Sequence, residues 1–135
     1  MLEEATLARH LEALGWNAEA HGGRTLRSVR ESPEGDVIVY IRLTDNWLII
    51  SVVPFLATKG KNSFELSRWL LRQNRDMFQA KFAYDEDGDV VLTAELPTES
   101  VDRTEIDTVL GELVNQTVVH RRTLRVAAEA ARKSK

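Results

Sequence analysis

The fold is decided by the stretch NSFELSRWLLRQNRDMFQAKFAYDEDGDVVLTAELP, which runs from Asn62 to Pro97. Asn62 and Glu65 have the spacing of a helix N-cap and its capping box. The apolar side of that helix is then formed by Leu66, Trp69, Leu70, Gln73 and Met77. The second half alternates apolar and polar residues around Asp87-Gly88, a two-residue turn favoured between paired strands. The stretch therefore predicts a capped helix followed by a tight hairpin, and it contains no reactive group.

The residues before this stretch predict one helix and three strands. The helix runs from about Glu3 to Leu14, carries a leucine stripe and stops at Gly15. Three strands follow, at about 24–31, 37–43 and 47–53, and Pro54 is predicted to end the third. The turns between them are short, which favours antiparallel pairing.

The last predicted helix is long for a chain of this size. Asp102 and Glu105 repeat the capping-box spacing at its start. Its apolar side comprises Ile106, Val109, Leu110, Leu113, Val114, Thr117, Val118 and Leu124. If the helix reaches Arg132 it is about 45 Å long. We expect residues 125–135 to project from the domain or to fray at their basic end.

Together these elements predict an α+β fold with two layers. Three helices pack on one open, five-stranded antiparallel sheet, in the order α-β-β-β-α-β-β-α, and the C-terminal helix is long. The chain has 135 residues, which suits a single domain spanning residues 1–135.

Composition narrows the class of protein. The chain has no cysteine, which excludes disulfides and thiol catalysis. No apolar run approaches the roughly 20 residues of a membrane span. The N-terminus carries Glu3 and Glu4 and lacks the apolar core of a signal peptide. We therefore predict a cytoplasmic protein with no membrane partner.

Charge is unevenly distributed along the chain. The formal net charge is −3, but the segment from Asn115 onward contains six cations and one acidic residue, Glu129, which gives it a net charge of +5. Cations near a helix C-terminus complement the helix macrodipole, which is one explanation. Recognition of an acidic partner is the other.

Two of the predicted strands are apolar on both faces. In a two-layer domain each strand is expected to be polar on its solvent side. In the strand at 37–43, one face carries Val37, Val39, Ile41 and Leu43, and the other carries Ile38 and Tyr40. In the strand at 47–53, one face carries Trp47, Ile49 and Val53, and the other carries Leu48, Ile50 and Val52. An exposed apolar patch of this size is costly. Either another part of the chain, such as the last helix, covers the second face, or that face meets another molecule.

The element order and three features of the sequence resemble the YbjN-like family. These features are LLRQN on the second helix, the FAYDEDGDVVLTAELP hairpin and the capped final helix. The resemblance extends from about Leu2 to Leu124, and domains of this family are similar to type III secretion chaperones. It implies a homodimer without enzymatic activity that binds another protein, often through an unfolded segment laid across apolar patches. It also implies a link to stress response or regulation.

No motif for catalysis or metal binding is found. The acidic run 85–89 fails the calcium-loop pattern, because the sixth residue from Asp85 is Val90 and the twelfth is Leu96. It is interpreted as a solvated hairpin turn. The histidines lie far apart, at His10, His21 and His120. We predict no catalytic residue, no metal site and no cofactor.

Two groups of residues are predicted to hold a partner. The apolar contacts are assigned to Trp47, Ile49, Phe55 and Leu56. Arg68, Arg72 and Arg75 form a stripe on the second helix that can pair with carboxylates or phosphates, unless it is only the solvated side of the helix. The leading hypothesis is a chaperone-like homodimer that binds an extended segment of a protein client through apolar pockets and an exposed strand edge.

The alternative hypothesis is a regulator of nucleic-acid transactions. It would act through a DNA-binding partner protein, whose disordered acidic tail, of the kind single-strand DNA-binding proteins carry, suits the arginine stripe. Direct nucleic-acid binding by the basic final helix is less favoured, because the chain is negative overall.

Overall fold

A computed structural model describes residues 1–133 of the chain. The helices are α1 (Glu4–Ala13), α2 (Phe64–Asp76) and α3 (Arg103–Lys133). The strands are β1 (Glu19–Ala20), β2 (Thr25–Arg30), β3 (Val37–Leu43), β4 (Trp47–Leu56), β5 (Lys81–Tyr84) and β6 (Val90–Pro97). They form one six-stranded antiparallel sheet in the order β1-β2-β3-β4-β6-β5. The predicted α+β class is confirmed, and the short β1 is a sixth strand beyond the five expected.

All three helices pack on the same face of the sheet, which we call the inner face. Every second residue of the central strands is buried there: Val37, Val39, Ile41, Leu43, Leu48, Ile50 and Val52. α3 contributes Ile106, Val109, Leu110 and Leu113 to the same core, and α1 contributes Leu7 and Leu11. Trp69 of α2 contacts Phe82 of β5 and His120 of α3, which places α2 on this side too.

The start of α2 differs from the predicted capping box by one residue. The N-cap is Ser63, whose hydroxyl accepts a hydrogen bond from the backbone N–H of Leu66 at 3.0 Å. Asn62 instead donates from its side chain to the carbonyl of Gly88, 2.8 Å away. Both residue types cap helices well, so the contact with the β5–β6 loop decides which one does.

The β5–β6 connection is longer than the predicted two-residue turn. It spans residues 85–89, because the Asp85 carboxylate accepts hydrogen bonds from the backbone N–H groups of Asp87 and Asp89, each at 3.0 Å. Gly88 has a φ of +79°, and a Cβ at this position would lie 2.5 Å from Gly60. The loop therefore packs closely against the segment that precedes α2.

The prediction that Pro54 ends the third strand is wrong. β4 continues to Leu56, and its pairing with β6 shifts register between Val52 and Leu56. Proline lacks a backbone N–H and is tolerated at such an irregularity, where no ladder bond is lost. The shift turns Phe55 toward the inner face, where it is 1% exposed.

α3 begins as predicted and runs almost to the end of the chain. Asp102 accepts a hydrogen bond from the backbone N–H of Glu105 at 2.8 Å. The helix has 31 residues, which corresponds to about 46 Å. Residues 125–133 are helical and mostly exposed, so the described part of the expected projecting end is ordered as helix. Residues 134–135 lie outside the described residues, and the single-domain organisation stays a prediction.

Candidate functional site

The opposite side of the sheet, the outer face, carries a row of apolar side chains that no helix within residues 1–133 covers. We define it by Val29, Ile38, Tyr40, Trp47, Ile49 and Val53. Trp47 is 45% exposed and Val29 is 43% exposed. Cover by the last helix is excluded among the described residues, because the buried side of α3 faces the inner core. The outer face is therefore available to another molecule.

Polar and charged groups border the outer face. The hydroxyls of Ser51 and Thr93 are hydrogen-bonded at 2.7 Å. Arg42 and Glu95 flank Ile49 in the strand register and project from the same face. The guanidinium of Arg27 lies 6.0 Å from the centre of the Tyr40 ring. An extended segment crossing this face would meet apolar contacts and both signs of charge.

A second exposed surface, the α2 ridge, lies at the β5 end of the molecule. We define it by Phe64, Leu71 and Phe78 together with Arg68, Arg72 and Arg75. Phe64 is 73% exposed, Leu71 69% and Phe78 87%. Phe64 and Leu71 lie two turns apart on α2, and Phe78 follows the end of the helix. Large apolar side chains with this exposure are typical of interaction sites.

A small groove beside the ridge separates α2 from β5. It has a volume of about 160 Å³ and is lined by Ser67, Leu70, Leu71, Asn74, Phe82, Ala83 and Tyr84. Most of this lining is apolar, and the hydroxyls of Ser67 and Tyr84 are hydrogen-bonded to each other at 2.7 Å. The groove can accept an apolar side chain from a partner.

The open edge of β5 is blocked by the side chain of Asn74. Its amide donates to the carbonyl of Phe82 at 3.0 Å and accepts from the Phe82 N–H at 2.7 Å. Asn74 thus takes the backbone N–H and carbonyl of Phe82, in the middle of the strand, which an added strand would otherwise pair with. The ammonium of Lys81 also bonds the carbonyls of Asn74 and Met77, which ties β5 to the end of α2.

Replacing Asn74 with leucine is expected to lower the free energy of unfolding by about 1–3 kcal/mol, because the two Phe82 backbone groups lose their partner. The opened edge is also expected to promote self-association through strand pairing. Urea denaturation and light scattering measure the two effects. Asn115→Leu, an exposed asparagine on α3, is the control; an equal change in both variants would show that Asn74 has no special role.

The cations of α3 are largely used within the domain. Arg121 donates to the carbonyls of Phe55, Asp36 and Pro54, each at 2.9 Å. These bonds hold the β2–β3 turn and the irregular part of β4 to α3. They explain part of the basic charge near the C-terminus without an acidic partner.

Glu34 completes this arrangement. Its carboxylate, 7% exposed, pairs with Arg125 at 2.9 Å and Arg122 at 3.3 Å. The hydrogen bond from Arg125 is the main reason that the pKa of Glu34 falls to about 2. Besides these three arginines, the basic residues near the C-terminus include Arg132 and Lys133, which lie in the last described turn of α3.

His120 is a buried polar residue that sequence reasoning missed. Its ring stacks edge-on against Trp69 at 5.3 Å and Phe82 at 5.6 Å. Burial lowers the pKa of His120, and its Nε2 has no hydrogen-bond partner among the described residues. The one available signal was its position one turn after Thr117 on the apolar side of α3. His120 serves as an aromatic core residue joining the three elements.

The structure separates the two predicted groups of partner-binding residues. Trp47 and Ile49 lie on the outer face, and Leu56 is half-buried at the end of β4. Phe55 lies inside the core and offers no surface to a partner. Arg68, Arg72 and Arg75 stand on α2, on the other side of the sheet. The predicted sites therefore form two surfaces, not one.

Within residues 1–133 no cluster of three histidine, aspartate or glutamate side chains is placed to hold a metal ion. No helix in that part of the chain is long and apolar enough to cross a bilayer. Residues 85–89 form a hydrogen-bonded hairpin loop, as expected for a solvated turn.

Comparison with known sequences gives one family and several partial relatives. The family model CesT_Tir_1 matches residues 5–128. Uncharacterized protein Rv0487 of Mycobacterium tuberculosis is 32% identical over 66 residues, and ML2442 of Mycobacterium leprae is 35% identical over 66 residues. Each match covers 48% of this chain and 36% of the relative, so the chain matches about a third of their length.

Solved structures of similar fold include YbjN and two type III secretion chaperones. YbjN from E. coli superposes with a TM-score of 0.68 at 16% identity, covering 92% of this chain and 94% of that one. The ExsC–ExsE complex superposes with a TM-score of 0.65 at 18% sequence identity, and the match covers 90% of this chain and 96% of that one. The Yersinia pestis type III secretion chaperone SycH, solved in complex with a stable fragment of YscM2, superposes with a TM-score of 0.61 at 19% sequence identity. The match covers 86% of this chain and 97% of that one. The predicted resemblance is confirmed.

Proposed function

The chain belongs to the CesT_Tir_1 family, and on that premise we propose that it is a non-enzymatic, chaperone-like module that binds a segment of a partner protein. It acts as a cytoplasmic homodimer in stress response or regulation. The observation that carries the proposal is the apolar outer face, which no helix covers among the described residues. Two similar folds, in the ExsC–ExsE complex and in SycH with its YscM2 fragment, were solved with a protein partner.

The client lies across the outer face as an extended segment. Alternate side chains of such a segment contact Trp47 and Ile49, and a carboxylate pairs with Arg42. Addition of the client as a strand is not part of the proposal. Asn74 already occupies the β5 edge of the sheet, and the opposite edge is formed by β1, which has only two residues.

Replacing Ile49 with aspartate is expected to weaken client binding at least about tenfold, because a charge is placed where an apolar contact is made. The client is first captured from native cytoplasm treated with nuclease, and its Kd is then measured by calorimetry. Val119→Asp, at a 45% exposed valine on α3, is the matched control. Unchanged affinity in a folded Ile49→Asp variant would contradict the assignment of the outer face.

A regulator of nucleic-acid transactions is the second candidate. It is favoured by Arg68 and Arg72, which form no ion pair within residues 1–133 and can bind the acidic tail of a DNA-binding partner protein. Direct binding through α3 is disfavoured, because Arg121, Arg122 and Arg125 are engaged inside the domain. Direct binding would show steep salt dependence on DNA, and a flat response would exclude it.

A further inference from the structure

A groove lies between the end of α1 and α3, on the side of the sheet opposite the outer face. We call it the α1–α3 groove. It has a volume of about 360 Å³, and its apolar lining consists of Leu14, Trp16, Val114 and Val118. A groove of this size falls within the range of about 300–1,000 Å³ that is usual for ligand sites. It is separate from both the outer face and the α2 ridge.

Gly111 also lines the groove, although neither its backbone nor its neighbours require glycine. It lies inside α3 with an ordinary helical backbone, whereas all the other glycines of the chain have a positive φ. A Cβ at Gly111 would meet no atom within 4 Å. Glycine is one of the least favourable residues in a helix interior. Its effect here is to keep the groove open.

Arg30 and Asp107 give the groove two opposite charges. The guanidinium of Arg30 stacks on the ring of Trp16, 3.8 Å from the ring centre, and Trp16 is only 5% exposed. This cation–π contact holds the guanidinium in place. None of the ion pairs found within residues 1–133 involves Arg30 or Asp107. Both charges are therefore available to a partner.

The two charges lie at opposite ends of the groove. Arg30 is the last residue of β2, next to the β2–β3 turn, where the carbonyl of Asp36 accepts a hydrogen bond from Arg121. Arg30 therefore lies at the Val118 end of the groove. Asp107 precedes Val118 by eleven residues, which is about 16 Å along α3. An extended segment of about five residues covers this distance.

The groove can be reached from the outer face around the edge of β2. Val29 belongs to the outer face, and the next residue, Arg30, lines the groove. β1 pairs with β2 at Leu26 and Arg27, so it ends before this point. A cavity of about 160 Å³ lies beside Val29 and Asn17 on this path. A client segment that leaves the outer face at Val29 therefore crosses no strand before it reaches Arg30.

We propose that the α1–α3 groove is a second anchor for the client and binds a segment of about five residues. An acidic side chain of this segment pairs with Arg30, an apolar side chain lies over Gly111, and a basic side chain pairs with Asp107. This inference rests on the proposed function. It adds a binding site and specifies the order of charges that the client carries.

The shape of the groove favours a peptide segment over a second copy of the chain. A twofold pairing at this place would set a concave surface against the same concave surface. The space over Gly111 would then stay empty in both copies. An extended segment fills that space and meets both charges.

Calorimetry with the captured and purified client tests the site. Gly111→Leu fills the groove and is expected to weaken client binding at least about tenfold. The same variant is expected to raise the midpoint of urea denaturation, because leucine favours the helix more than glycine does and enters open space. A loss of affinity with a gain in stability excludes misfolding as its cause. Thr123→Leu, at an exposed position of α3 outside the groove, is the control and leaves the affinity unchanged.

Charge reversals test the order of charges in the client. Arg30→Glu and Asp107→Lys are each expected to weaken binding about tenfold at low salt and less at high salt, because each brings like charges together. Arg9→Glu, at an exposed position of α1 outside the groove, controls for the change in net charge and leaves the affinity unchanged. Circular dichroism of each variant shows that the comparison is made between folded proteins.

Failure of this site and failure of the proposed function give different results. Unchanged affinity in Gly111→Leu, with a loss in Ile49→Asp, would overturn the groove and keep the outer face. Unchanged affinity in both variants would overturn both surfaces, and capture of no protein at all would overturn the proposed function. Weaker binding in Gly111→Leu alone, with neither charge reversal effective, would overturn the proposed order of charges. A dimer that Gly111→Leu converts to a monomer in light scattering would show that a second copy occupies the groove, which contradicts the proposal.

Discussion

Replacing Phe55 with alanine is expected to lower the free energy of unfolding by about 3–5 kcal/mol. The ring is 1% exposed and packs edge-on against Phe82, with the ring centres 4.8 Å apart. The substitution leaves a cavity where β4 meets β5 and α3, and it also removes an aromatic contact worth about 0.5–1.5 kcal/mol. Urea denaturation followed by tryptophan fluorescence measures the loss.

Leu56→Ala is the matched control for this prediction. Leu56 is the next residue in β4 and is only half-buried, so a loss of about 1 kcal/mol is expected. A Phe55→Ala variant that is as stable as the wild type but no longer binds its client would show that Phe55 reaches the partner. That result would contradict its placement in the core.

Replacing Arg121 with methionine is expected to lower the free energy of unfolding by about 2–4 kcal/mol. Methionine keeps the apolar stem and removes the guanidinium that binds the carbonyls of Phe55, Asp36 and Pro54. Those carbonyls are then left without their charged donor, in a partly buried site. Thermal unfolding monitored by circular dichroism measures the effect.

Arg122→Met controls for the loss of charge on the same helix. Arg122 is 56% exposed and pairs with Glu34, which Arg125 continues to hold. Its loss is expected to cost less than about 1 kcal/mol. Equal destabilisation of the two variants would mean that the bonds from Arg121 to the sheet contribute little.

Most of the fold could be predicted because its local and tertiary signals agree. The apolar stripe of α2, with Leu66, Leu70 and Met77, is also its packed side in the structure. The alternation in β3 predicts its bounds and its inner face. The cap of α3 at Asp102 is a local hydrogen bond, so the sequence is sufficient to place it.

The candidate site was predicted less well, because it depends on tertiary contacts. Alternation along β4 places Trp47, Ile49 and Val53 on one face and extends to Phe55. The register shift after Val52 inserts an irregularity, and Phe55 turns inward instead. Two further features, the burial of His120 and the block of the β5 edge by Asn74, depend on neighbours distant in sequence.

The tether formed by Arg121 also has a consequence for the nascent chain. A ribosome completes all six strands before it adds α3, and the bonds of Arg121 span 66 to 85 residues of sequence. Until α3 leaves the exit tunnel, the inner face of the sheet lacks its main cover, and the β2–β3 turn has no anchor. Folding therefore finishes after synthesis of α3, and a nascent chain stalled within that helix would expose an incomplete sheet prone to aggregation.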